Sequence, residues 1–294
     1  MARANNSHPP LFHMRFGLNT FLFVSPFTNR SVRLFARFKK WGFSSVEIAI
    51  EDPRHIDPAL VKRELDRHGL VCGSVSACFG PDRDLRGAAR QQEATVRYVT
   101  ALLGQMIVLD CPTMIGPVYS AVGRAEAVPR TEYRRQWGTV VKHLKNLGRR
   151  ADDLGKRICL EPLNRYETDF INTCAQGLQM VKDVDSPGLQ LLLDTFHMNI
   201  EEKSPADAIR RAGRHLGHLH ACGSDRGAPG NDHTDWRSIA QALKDIRYRG
   251  DVVIESFTTD VKVIARAAAV WRQIEPSRTD IATKGLRHLR NVLK

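Results

Sequence analysis

The sequence predicts a single-domain (β/α)8 barrel of the TIM type, and three observations lead to it. Short apolar runs recur eight times, amphipathic stretches separate them, and no Gly/Ser spacer or low-complexity segment divides the series. Strands that alternate with helices imply parallel pairing through right-handed crossovers. Eight such units within 294 residues suit a closed barrel better than an open sheet. The barrel is assigned to residues 14–294, and residues 1–13, MARANNSHPPLFH, to an N-terminal tail.

The units follow in order. A strand at 16–19 precedes an amphipathic segment at 31–41. The strand at 46–49 leads to 58–68, whose first proline suits a helix start. Residues 71–76 form the third strand, before a helix at 88–105. Four consecutive apolar residues at 106–109 are read as the fourth strand, followed by a long helix at 131–154. The fifth unit pairs 158–161 with 174–184, the sixth 189–194 with 205–212, and the seventh 216–220 with 236–247. The last strand, 252–255, is followed by a closing stretch at 261–294 that Pro276 interrupts.

Composition removes several classes of function. With 42% apolar residues the chain can bury a full core, and it has no apolar run of about 18 residues that would cross a membrane. The N-terminal stretch has one arginine and no apolar segment long enough for a signal peptide, so the reading is cytoplasmic. Six cysteines without a C-x-x-C pair argue against a disulfide framework or a zinc-thiolate site. The net charge of +12 is spread over the helices instead of forming one stripe with a recognisable module, so no nucleic-acid partner is expected.

The chemistry lies in four pieces: C-L-E-P-L-N-R, L-L-L-D-T-F-H, H-L-H-A and V-I-E-S. Each is a strand-like run ending in a metal-capable side chain, namely Glu161, Asp194, His220 and Glu255. They are 33, 26 and 35 residues apart, about one βα unit each. In a barrel the C-terminal strand ends gather at one rim, so four adjacent strands would deliver four ligands to one place. Singly, each has a plainer reading; Asp194, for instance, could cap the next helix. Three carboxylates with one imidazole favour manganese, magnesium or cobalt over a structural zinc. Such a centre polarises a carbonyl.

Glu161 and Glu255 have a second implication. Placed three strands apart, two carboxylates can face a bound carbon from opposite sides, which is what inversion of a stereocentre requires. Other polar residues follow the strand ends. His197 reads either as packing and support for the site or as a hydrogen bond to substrate. Arg226, in the turn-rich loop S-D-R-G-A-P-G-N-D-H-T-D-W, reads as a sugar-hydroxyl ligand or as surface charge, and Arg165 equally as a contact at the site or as a structural ion pair.

The pieces E-P-L-N-R-Y-E, V-D-S-P, L-D-T-F-H-M-N-I-E-E, G-H-L-H, P-G-N-D and V-I-E-S-F, then A-V-W-R, are similar to those of a known family. The chain resembles the D-tagatose, D-psicose (allulose) and L-ribulose 3-epimerases among the xylose isomerase-like barrels. The resemblance runs from residue 14 to 290 and is densest between Glu161 and Phe257. It implies a divalent manganese or cobalt ion held by Glu161, Asp194, His220 and Glu255, with Glu161 and Glu255 as the acid/base pair. It also implies that Glu167, His197 and Arg226 contact the ketose near C1 to C3. The implied reaction is epimerisation at C3 through a cis-enediolate, without an organic cofactor, in a homodimer or homotetramer. Two loops depart from the family pattern. Gly223 stands where many members have a glutamate, and the first βα loop lacks a tryptophan and carries Phe21 and Phe23.

Competing readings on the same barrel are an aldose–ketose or hydroxypyruvate-type isomerase, in which one base shuttles the proton on one face, and an enzyme of 3-oxo-sugars or glycosides. No Gly-rich phosphate cradle is apparent, which argues for a free sugar. A phosphodiester-cleaving site would need more histidines. A non-catalytic partner subunit would have no reason to retain every ligand.

Overall fold

Eight short parallel strands pair in chain order and return to the first, closing a barrel. The computed structural model describes residues 14–293; the stretch read as a tail, residues 1–13, and Lys294 lie outside the described residues. The strands are β1 (Phe16–Asn19), β2 (Ser45–Ile50), β3 (Val71–Ala77), β4 (Thr113–Gly116), β5 (Arg157–Leu160), β6 (Leu189–Asp194), β7 (Leu216–Ala221) and β8 (Val252–Ile254). Closure comes from β1 pairing β8 in the register Phe16 to Val252 and Leu18 to Ile254. The helices are α1 (Phe35–Trp41), α2 (Pro58–Arg67), α3 (Ala89–Val108), α4 (Arg130–Asp153), α5 (Cys174–Val184), α6 (Thr195–Glu201), α7 (Pro205–Ala212), α8 (Trp236–Asp245), α9 (Lys262–Ala267) and α10 (Arg278–Val292).

One expected strand is misplaced. Residues 106–109 are not β4 but the end of α3, which runs on through Val108, and the strand forms seven residues later as T-M-I-G. The helix continues because Met106 and Leu109 face the core while Ile107 and Val108 point outward, 53% and 46% exposed. That is the one-sided burial a helix gives and a buried barrel strand does not. The chain then reverses at Asp110, which adopts a left-handed conformation with φ of 53°.

Helices and the outer faces of the strands share one apolar layer. Beneath α1 it is aromatic: Phe38 packs against Phe23 at 5.4 Å and Trp41 at 6.1 Å between ring centroids, and no part of Phe38 reaches solvent. Phe38→Ala is expected to cost about 3–5 kcal/mol, read as a lowered urea midpoint at unchanged slope. A loss under about 1 kcal/mol would show that this layer collapses around the gap.

Inside the barrel the residues alternate by two along each strand. Cys159 and Leu192 thus lie on the same face as Glu161 and Asp194, and with Ile115 they form a small separate apolar cluster. The rest of the inner face is unusually polar for a barrel core: Asn19, Ser45, Glu47, Ser74, His218 and His220 are all buried.

Candidate active site

The four side chains read as ligands all arrive at the C-terminal rim. Glu161 and Glu255 are the residues after β5 and β8, Asp194 is the last of β6, and His220 is the last but one of β7. One ligand atom from each lies within 4.8 Å of the others. His220 Nδ1 is 3.6 Å from Glu161 Oε1, 3.5 Å from Asp194 Oδ2 and 3.2 Å from Glu255 Oε2. All four residues are buried. Asp194 does both things expected of it: Oδ1 accepts from the Phe196 N–H at 2.6 Å and starts α6, while Oδ2 turns to the centre.

The donor set fits a hard divalent cation. Glu161 Oε1 and His220 Nδ1 are buried and lack a hydrogen-bond partner, a costly state unless something else occupies the space between them. Three carboxylate oxygens with one imidazole are what magnesium or manganese takes. Burial pushes the Glu161 carboxyl up to about 8, against the opposing pull of His220. Asp194 is held well below the carboxylate range: burial opposes ionisation, but the Arg226 charge and His220 outweigh it. Burial works against a charged His220, yet Glu255, Glu47, Asp194 and Glu161 around it raise its proton affinity.

Next to this centre lies a cavity of about 320 Å³, into which Glu161, Glu167, His197, Arg226 and Glu255 all project. Arg226 is buried, so the surface reading of its charge is excluded. Its guanidinium reaches Asp194 Oδ2 at 2.7 Å and Glu255 Oε2 at 3.3 Å and lies over the rings of Phe196 and Phe257. The Asn164 backbone N–H donates to His197 Nδ1 at 3.1 Å, which leaves the ring proton of a neutral His197 on Nε2. Burial and the Arg226 charge favour that neutral form. His197 Nε2 and Arg226 Nη2 are then two donors only 3.0 Å apart, an arrangement that a shared acceptor oxygen would satisfy. Asn164 also holds Glu167 by donating to Oε1 at 2.7 Å.

Other sequence readings resolve here. Arg165 forms the structural ion pair, with two nitrogens on Glu201. Phe21 lines the cavity, whereas Phe23 turns away to pack on Phe38 and Trp41. Gly223 sits in a tight loop, its N–H donating to the Gly227 carbonyl and its own carbonyl accepting from Arg226 N–H. Two buried residues were passed over in the sequence: Glu47 and Asn19. The available signal was an acid in the middle of S-V-E-I-A-I, a strand in which every residue is buried.

A family model described as a xylose isomerase-like TIM barrel matches residues 35–292. A probable ketose 3-epimerase of Synechocystis sp. is 32% identical over 280 residues, 94% of this chain and 96% of that protein. The chain belongs to the ketose 3-epimerase family of these barrels. A second member of the family, the D-psicose 3-epimerase of Ruminiclostridium cellulolyticum, is 37% identical over 244 residues, 80% of this chain and 81% of its own. Among solved ketose 3-epimerase structures, D-allulose 3-epimerase from Methylomonas sp. superposes with a TM-score of 0.89 at 30% identity, covering 95% of this chain and 98% of that one. These relatives are epimerases, enzymes of the isomerase class. Among the described residues no helix is long and apolar enough to cross a membrane.

Proposed function

We propose that the protein is a metal-dependent ketose 3-epimerase acting on free ketoses of the D-allulose/D-fructose, D-tagatose or L-ribulose type. The observation that carries this reading is the meeting of four buried ligand atoms within 4.8 Å at the wall of a cavity that both glutamates line. Glu161, Asp194, His220 and Glu255 would hold the cation, with manganese favoured and cobalt or magnesium as alternatives. When bound, it supplies polarisation of the ketose carbonyl and so acidifies the neighbouring C3–H. Glu161 and Glu255 exchange the proton at C3, one removing it and the other returning it on the opposite face. His197 Nε2 and Arg226 Nη2 share an oxygen of the reacting end, and Glu167 accepts from a neighbouring hydroxyl. Phe21, Phe79 and Phe257 exclude water from the cavity. No organic cofactor takes part. The working state is a homodimer or homotetramer, supported by family resemblance.

Metal-stripped protein, alone and with added manganese, is incubated with D-fructose, D-allulose, D-tagatose and L-ribulose in deuterated water. The expected result is carbon-bound deuterium at C3 in the epimeric ketose, with metal only. Deuterium at C1 or C2 with an aldose product would instead establish an aldose–ketose isomerase, and no exchange on any free ketose would move the substrate to 3-oxo-sugars or glycosides.

A further inference from the structure

Beneath the rim centre, on β2, lies a buried carboxylate to which the proposed reaction gives no part. Glu47 is fully shielded from solvent, and four side chains face it. His220 Nε2 is 2.8 Å from Oε1 and His218 Nε2 is 3.0 Å from Oε2. Asn19 Nδ2 donates to Oε1 at 2.7 Å, and Ser74 Oγ to Oε2 at 2.5 Å. A carboxylate in that setting accepts only, so the His220 nitrogen facing it carries the ring proton. In the neutral ring the other nitrogen, Nδ1, then has its lone pair directed at Glu161, Asp194 and Glu255.

Asn19 extends the same control to a second ligand. Its Oδ1 accepts from the Phe21 N–H at 2.8 Å, which turns the amide NH2 towards the barrel interior. One of its hydrogens meets Glu47 and the other Glu255 Oε1, at 2.9 Å. With Oε1 thus engaged, Glu255 presents Oε2 to the centre. The second buried His/Glu group of the barrel, Glu47 with His218 and His220, is therefore a hydrogen-bonded support, not another cation site.

We infer that Glu47 is the positioning residue of the cation centre, fixing His220 with Nδ1 inward and, through Asn19, Glu255 with Oε2 inward. It touches neither substrate nor cation. Partners of this kind set the tautomer and basicity of a ligating imidazole, and their loss weakens binding by about 10–100-fold. Gln at this position keeps one acceptor oxygen but replaces the other with an NH2 and removes the charge, so the partners on that side must reverse their hydrogen-bonding roles.

The inference rests on the proposed cation centre, and the test separates the two. Metal-free full-length wild type and Glu47→Gln are titrated with manganese by calorimetry. Binding by wild type with at least about tenfold weaker binding by Glu47→Gln is expected; a smaller difference overturns the role of Glu47 and leaves the centre standing. If wild type itself binds no cation, the centre fails first. Should Glu47→Gln not fold, Glu47→Asp is titrated in its place: the shorter side chain withdraws the acceptor from His220, so manganese binding at least about tenfold weaker than wild type is expected, and wild-type affinity overturns the inference.

Discussion

Glu255→Gln is expected to lower the epimerisation rate by more than about 10³-fold at saturating manganese, within the range that positioned acid/base groups supply. The substitution preserves shape, and the Asn19 amide that now donates to Oε1 of Glu255 still finds an acceptor. What is lost is the negative charge next to Arg226 and the ability to take a proton. Glu161→Gln should be equally damaging, and the pair makes a sharper prediction than either alone. If each glutamate serves one face of C3, each variant still exchanges the C3 hydrogen of one epimer with deuterated solvent but does not invert it. The two variants should exchange opposite epimers. A variant retaining more than a tenth of wild-type epimerisation, or both exchanging the same epimer, would sink the two-base assignment.

The second large effect is thermal. Without a cation, three carboxylates crowd around His220, offset by the raised proton affinity of His220 and by the Arg226 charge. A ligand that binds only the folded chain stabilises it by about 2.7 kcal/mol at a hundred times its dissociation constant. For a chain of 294 residues each kcal/mol is worth about 1.5–2 °C, so manganese should raise the melting temperature of metal-stripped protein by roughly 4–5 °C. Asp194→Asn should abolish most of that response, because it removes an inward-facing charged ligand. An equal rise in the variant, measured by scanning calorimetry, would place the cation elsewhere.

The meeting of the four side chains at the candidate site was legible in the sequence because strand ends gather at one rim. Glu161, Asp194, His220 and Glu255 each close an apolar run, and barrel topology then dictates that they meet. Seven strands were legible for the same reason. The fourth was not: M-I-V-L looks like a buried strand, but Ile107 and Val108 belong to the exposed side of a long helix whose register is set by what Met106 and Leu103 bury. Local apolarity does not reveal which face tertiary packing will use. Glu47 and Asn19 were missed for a different reason. Their partners are 173 and 236 residues away in His220 and Glu255, and nothing in the adjacent sequence marks a hydrogen bond of that span. Arg226 was placed correctly in a turn, yet its burial depends on Phe196 and Phe257 lying on either side of it.

The closing contact between β1 and β8 has a consequence for how the ring resists opening. Glu255 follows the last strand, and its anchor, Asn19, ends the first, so the hydrogen bond that orients Glu255 crosses the seam where the chain meets itself. A growing polypeptide displays Glu161, Asp194 and His220 before the seam exists, and these three alone form an incomplete shell. Unzipping β1 from β8 must also break the Asn19–Glu255 bond, and Glu255 then loses the partner that turns Oε2 to the centre.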